Sequence, residues 1–144
     1  MNRSASGTIE LETLKKKLHS LFSEYGTIRS AYMFGSTVAG VASEKSDLDV
    51  AIRLEPDVSP EDAFGVRLAL IDDLETLFHC PVDVVILNSA SLKLIHQVFR
   101  YGRPMYIQHP DEEREYRIRK QKEYFDFQYY INKECLDLRD FYGA

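Results

Sequence analysis

The sequence predicts an α/β or α+β domain, a β-sheet covered by helices. Two observations carry this. Apolar residues recur at three- and four-residue spacing in several stretches, and between these lie short runs rich in branched and aromatic residues. Glycine, proline and serine punctuate the boundaries between the two kinds of run. Such alternation gives a sheet with helical layers and leaves the strand order open.

Ile9, Leu11, Leu14, Leu18, Leu21, Phe22 and Tyr25 mark an amphipathic helix ending at Gly26. Ile28 to Phe34 has strand character and stops at Gly35, where a short helix can begin with Ser36 near its N-terminus. Asp47 to Leu54 is the second strand. If Leu48, Val50, Ile52 and Leu54 face the core, the two-residue period puts Asp47, Asp49, Ala51 and Arg53 on the opposite face. Ser59-Pro60-Glu61-Asp62 supplies a capping hydroxyl, a first-turn proline and acids at the positive end of a helix that runs to Phe78. Val82 to Leu87 is a third strand with Asp83 at its entrance, and its unbroken apolar character after Asp83 predicts burial on both faces. Ser89 or Ser91 caps a helix through about Arg100 that Gly102 closes; Pro104 to Ile107 adds a short edge strand, and a last helix follows Pro110. The expected organisation is a single domain: a core over 1–108 and a C-terminal helical tail over 109–144, packed on that core or on a partner.

With 144 residues, 44% hydrophobic and 28% charged, the chain suits one globular domain of ordinary composition. No stretch approaches the roughly 20 apolar residues of a membrane span, and Met1 to Gly7 is polar with no apolar signal core behind it. A cytoplasmic protein is expected. The formal net charge of -5 disfavours a long nucleic-acid substrate. Cys80 and Cys135 lack metal-type spacing and read as reduced, buried thiols. The four histidines are widely spaced without paired acids or cysteines, which argues against zinc.

The chemistry concentrates in Gly35-Ser36, Asp47-Leu48-Asp49 and Val82-Asp83-Val84-Val85. Two carboxylates side by side on one strand face repel each other, and a divalent cation offsets that repulsion. Magnesium takes oxygen ligands, usually one or two carboxylates with water and phosphate. A helix start at Gly35-Ser36 offers free backbone N–H groups and a hydroxyl for a triphosphate tail. If the third strand lies beside the second, Asp83 reaches the same ion as ligand, as proton acceptor for an incoming hydroxyl, or as both. A calcium loop fails on Ile52 and Val58, which stand where it needs glycine and glutamate. A Walker loop fails because no Gly-Lys-Ser/Thr follows Gly35. Taken singly, each of these features has a plainer reading as a helix start, a solvated strand edge or a turn. Their joint order along three strands favours nucleotidyl transfer.

This signature, Gly35-Ser36 with Asp47, Asp49 and Asp83, resembles that of the DNA polymerase β-like nucleotidyltransferases. The short chain, the stretch from Phe99 to Tyr106 and the aromatic tail resemble the minimal nucleotidyltransferase (MNT) antitoxins of that superfamily. The resemblance implies a mixed β-sheet nucleotidyltransferase palm flanked by helices, ATP as substrate and magnesium, two ions, as cofactor. Asp47, Asp49 and Asp83 carry over as catalytic metal ligands, and Gly35 and Ser36 as the phosphate-binding pair. It implies a HEPN-domain ribonuclease toxin as partner, silenced by transfer of AMP onto a tyrosine hydroxyl.

After Ile107 only the tail remains, too little for a separate acceptor domain, so a docked protein partner is expected to position the acceptor. Two alternatives stand beside this. One is a non-catalytic antitoxin that neutralises its partner by binding, and the other an aminoglycoside-like small-molecule transferase that builds its acceptor site as a homo-oligomer. In the tail, Tyr124, Phe127, Ile131, Cys135, Leu138 and Tyr142 form one stripe, with Phe125, Tyr129 and Leu136 beside it. These either dock on the chain's own core or meet another protein. Arg114, Arg117, Arg119, Lys120 and Lys122 are either a solvated face beside Glu112, Glu113 and Glu115, or a contact for a triphosphate or an acidic partner.

Overall fold

A computed structural model describes the backbone over residues 3–34 and 48–142 and side chains over 12–34 and 48–134. Its sheet contains β1 (Ile28–Phe34), β2 (Leu48–Leu54), β3 (Val82–Ile86) and β4 (Arg103–Ile107), in the order β3-β2-β1-β4. β1 runs antiparallel to both β2 and β4, whereas β2 and β3 are parallel. A parallel pair needs a crossover, and α2 (Pro60–Phe78) supplies it. The sheet is therefore mixed, with four α-helices around it among the described residues.

Period two along β2 sorts its side chains between two helical layers. Leu48, Val50, Ile52 and Leu54 join Ala31 and Val84 beneath Leu18 and Phe22 of α1 (Arg3–Glu24) and Leu70 and Leu74 of α2. On the other face Tyr32, Ala51 and Leu87 meet Ile95 and Val98 of α3 (Leu92–Tyr101). The first turns of α4 (Pro110–Tyr142) pack beside α3 on that face.

The helix boundaries follow local chemistry. Ser59 Oγ accepts from the Asp62 N–H at 3.1 Å, Pro60 opens α2, and Glu61 and Asp62 occupy its first turn. α2 ends at His79, left-handed with φ 56°, whose N–H donates to the Glu75 carbonyl at 2.8 Å. Ser91, not Ser89, caps α3: its Oγ accepts from the Leu94 N–H at 3.2 Å. Ser89 belongs instead to a single 3-10 turn, Leu87–Ser89, so β3 stops at Ile86, one residue short of expectation. α1 begins at Arg3, ahead of the first periodic apolar residue.

Two expectations are corrected. β3 is not buried on both faces. It closes one edge of the sheet, and while Val82 and Val84 are buried, Val85 and Ile86 are half-buried and Asp83 is exposed. Its apolar run reflects the α2 layer on one face only. Nor is Glu113 part of a solvated helix face; it is 1% exposed. Cys80 carries a free thiol and is half-buried.

Contact with the chain's own core lapses along α4. Among residues 121–134 only Tyr124 is half-buried, stacked on His96 with centroids 4.1 Å apart, and residues 125–134 are all exposed. Phe125, Phe127, Tyr129, Tyr130 and Ile131 lie in that exposed stretch.

Candidate active site

Strand register builds the site. The parallel ladder sets Asp49 of β2 opposite Asp83 of β3, and the antiparallel ladder sets Phe34 of β1 opposite Asp49. Phe34, Asp49 and Asp83 thus form one row across three strands. Adjacent strands lie about 4.8 Å apart and residues in register share a face, so the two carboxylates stand as neighbours on the α3/α4 side of the sheet. Asp49 is half-buried, and the Asp83 side chain is 55% exposed at the sheet edge.

Arg67 of α2 reaches this edge. Its Nε donates to the Val84 carbonyl at 2.7 Å, and Nη2 stands 3.4 Å from Asp83 Oδ1. The first bond occupies an edge-strand acceptor; the second places a positive charge beside one of two neighbouring acids. Both partners of the ion pair are substantially exposed, so its share in stability is at most about 1 kcal/mol.

Gly35, Ser36 and Asp47 lie outside the described residues, as does the short helix expected from Gly35. The described strand ends on either side of them meet the acidic row. Phe34 sits opposite Asp49, and Leu48 pairs with Val82 while its N–H donates to the Pro81 carbonyl at 2.9 Å. Carboxylate oxygens in this arrangement are the donor chemistry of a hard divalent cation. Among the described residues no group of three or more His, Cys, Asp or Glu forms a metal cluster. Asp49 and Asp83 provide two carboxylates, and the third expected one, Asp47, is not described.

Further along the same face of β2 lies a network that the sequence reading did not find. Arg53 is 4% exposed, buried beneath α4. Its Nε donates to Glu113 Oε2 at 2.9 Å, Nη1 to Glu112 Oε1 at 3.0 Å, and Nη2 to both acids at 2.5 and 2.6 Å. Tyr32 Oη donates to Glu113 Oε1 at 2.5 Å, Arg29 Nη1 to Glu112 Oε1 at 2.9 Å, and the Tyr116 ring lies 4.3 Å from the Arg53 guanidinium carbon. Burial works to lower the Arg53 pKa, but its bonds to Glu112 and Glu113 outweigh burial and the net shift is upward. The hydrogen bonds from Arg53 hold the Glu112 carboxyl below the usual range. Burial, reinforced by the bond to Glu113, raises the Tyr32 phenol well above its ordinary value.

The guanidinium of Arg53 is thus engaged by two carboxylates and fastens α4 to the strand that bears Asp49. The sequence carried one conditional hint: Arg53 shares a β2 face with Ala51, and if a helix covers that face the charge needs an acid partner, since a charge is rarely buried unpaired. His19 packs edge-on against Tyr106, and His96 stacks on Tyr124.

Residues 16–111 match the family model described as polymerase beta, nucleotidyltransferase. No curated protein matches the chain. Among solved structures, a chain of a toxin–antitoxin complex with AMP-PNP is 24% identical with a TM-score of 0.57, covering 82% of this chain and 88% of that one. A chain of the toxin–antitoxin MntA-HepT is 20% identical with a TM-score of 0.65, covering 88% and 97%. The complex of tri-AMPylated Shewanella oneidensis HEPN toxin with MNT antitoxin gives a match at 20% identity and a TM-score of 0.65, with coverage of 88% and 97%. At these identities the likeness is one of fold.

Proposed function

This chain belongs to the polymerase beta nucleotidyltransferase family, and on that premise we propose that it is an antitoxin that transfers AMP from ATP to a tyrosine hydroxyl of a HEPN-domain ribonuclease toxin. One observation carries the reading: Asp49 and Asp83 stand in register on one sheet face, at the end where Phe34 leads into Gly35-Ser36. The shared fold with chains of toxin–antitoxin complexes, one with AMP-PNP and one with a tri-AMPylated toxin, supports the choice of donor, acceptor and partner.

In the proposed reaction the tyrosine oxygen attacks the α-phosphorus. A new oxygen–phosphorus bond forms, the bond from the α-phosphorus to the pyrophosphate oxygen breaks, and pyrophosphate departs. The hydroxyl proton passes to Asp83, whose exposure at the sheet edge opens it to an acceptor presented by another protein. Asp49 and Asp47 would hold magnesium with Asp83, and Gly35-Ser36 would receive the triphosphate. Bound magnesium supplies charge neutralisation on the phosphate oxygens. Docking of a folded partner orients the hydroxyl, and orientation can contribute about 7 to 11 kcal/mol toward the barrier.

Incubating the chain with ATP, magnesium and its HEPN-domain partner should add one or more AMP masses to a partner tyrosine. Asp49→Asn and Asp83→Asn should each reduce that transfer about a hundredfold or more while leaving the complex intact. No added mass from the wild-type chain at saturating ATP removes the enzymatic reading. A second reading, neutralisation by binding alone, is favoured by the exposed aromatic residues from Phe125 to Tyr130. It wins if the two asparagine variants neutralise the toxin as well as the wild type does.

A further inference from the structure

Between α3 and α4 lies a cavity of about 270 Å³ whose lining includes His96, Phe99, Arg100, Arg117, Lys120 and Phe125. Three cations meet here and, among the described residues, no carboxylate lines the wall, in a chain whose formal net charge is -5. Arg117 Nη2 donates to the Phe99 carbonyl at 2.9 Å, which fixes its guanidinium at the wall. Lys120 Nζ lies 3.1 Å from Glu123 Oε2, and Arg100 is exposed with its guanidinium carbon 5.3 Å from the Tyr101 ring centroid. A concave wall with one sign of charge concentrates the field of its cations on an anion.

The surroundings say which anion. Phe125 lines the cavity and also begins the exposed apolar run that continues through Phe127, Tyr129, Tyr130 and Ile131. At 100° per residue these side chains point to several sides of the helix, and a helix apolar on several sides is one that another body covers. A free phosphate or nucleotide would leave that run in water. His96 already stacks on Tyr124, with an interplanar angle of 9°.

We propose that the α3–α4 cavity is a docking site for an acidic segment of a protein partner, whose carboxylates meet Arg100, Arg117 and Lys120 while adjoining apolar side chains cover Phe125 to Ile131. The identity of that partner rests on the reading above; the acidic chemistry does not. The site also lies at the acidic end of the sheet. Arg100 is in the last turn of α3, and Gly102 behind it abuts the carbonyl of Met33, one residue before Phe34 of the acidic row. A partner held here is positioned to present a hydroxyl to Asp49 and Asp83.

The test compares the full chain with the double variant Arg100→Glu/Lys120→Glu and, as a milder control, Arg100→Gln/Lys120→Gln. A hexaglutamate peptide, inorganic phosphate, AMP and the co-expressed HEPN-domain partner serve as probes. Hexaglutamate should bind the wild type saturably. The glutamate variant should lose about tenfold or more in affinity for both peptide and partner, the glutamine variant less, with ATP-magnesium binding and melting temperature unchanged. Equal affinities in all three chains overturn the site, as does failure of hexaglutamate to bind the wild type. Displacement of the peptide by phosphate or AMP, with an undiminished partner complex in the glutamate variant, also overturns it. If charge-dependent docking holds and no AMP appears on the partner, the transferase reading falls and the docking site stands. If the glutamate variant transfers AMP at the wild-type rate at limiting partner concentration, the docking site falls and the transferase reading stands.

Discussion

Arg53 and Glu113, sixty positions apart in the chain, form a buried ion pair in which Glu113 also accepts the Tyr32 hydroxyl. The pair joins the strand carrying Asp49 to the first turn of α4. Glu113→Ala should destabilise the fold by about 3 kcal/mol, because it strands a buried guanidinium and a buried phenol, although Glu112 still holds part of the charge. Replacing all three partners, as Arg53→Met, Glu113→Leu and Tyr32→Phe, should restore most of that loss, since an apolar cluster of similar volume avoids desolvating any charge. Denaturant unfolding of the single and triple variants decides it. A triple variant less stable than Glu113→Ala would show that the ion pair is itself stabilising.

Where local chemistry decides structure, the sequence was readable. Ser59-Pro60 and Gly102 mark helix ends by capping and by steric fit, and β1 and α2 fall on their expected bounds, Ile28–Phe34 and Pro60–Phe78. Period two along β2 placed Asp49 on its face, and the parallel register then set it against Asp83. Non-local pairing was hidden. Nothing near Val82 to Ile86 says that β3 is an edge strand, because a run of valines looks alike beneath one helical layer or two. Glu113 likewise sits in an acidic first turn, where favourable contact with the helix dipole is sufficient reason for an acid; its burial depends on Arg53 from another element.

Metal binding should be measurable without catalysis. If Asp49 and Asp83 belong to a magnesium site, adding the ion to the nucleotide-free chain should raise its melting temperature. At a concentration a hundredfold above the dissociation constant the gain is about 2.7 kcal/mol. Asp49→Asn should abolish the gain. Asp83→Asn, at an exposed position, should change the metal-free stability by no more than about 0.5 kcal/mol while also weakening the response. A thermal-shift titration in which both variants respond like the wild type would place the metal elsewhere.

Gly102 ties α3 to β1 by close approach. A β-carbon there would collide with the Val98 carbonyl and press to 3.2 Å from the Met33 carbonyl. Both are backbone atoms within packed elements and neither can swing aside. Gly102→Ala should therefore destabilise by about 1–3 kcal/mol, whereas Gly65→Ala, inside α2 with open space around it, should stabilise by roughly 0.5–1 kcal/mol through helix propensity. The opposite signs make the pair a direct check by thermal unfolding.

The Arg53 network, together with the separate Tyr25–Asp73 bond, also predicts how stability responds to pH at both extremes. Glu112 has a folded pKa held below its unfolded value by Arg53 and then by Arg29. Its contribution is present above the unfolded glutamate pKa of about 4.3 and is lost as pH falls through the lower folded value. Below the unfolded pKa the unfolded chain binds the proton first, which favours unfolding. Tyr32 and Tyr25 have the reverse sign. Burial raises both phenols, with further help from Glu113 for Tyr32 and from Asp73, 2.5 Å from the Tyr25 hydroxyl, for Tyr25. Each contribution is complete below the unfolded tyrosine pKa of about 10 and declines above it, because the unfolded chain releases the proton while the folded one retains it. Stability should thus fall from about pH 10 upward, and Tyr32→Phe should flatten that decline while lowering stability at neutral pH by about 1 kcal/mol, the net worth of a lost hydrogen bond. Urea midpoints between pH 8 and pH 11 test the alkaline decline and its flattening, and midpoints taken downward from about pH 4.3 test the acid loss. An unchanged alkaline slope in Tyr32→Phe would mean that the phenol ionises equally in the folded and unfolded chains.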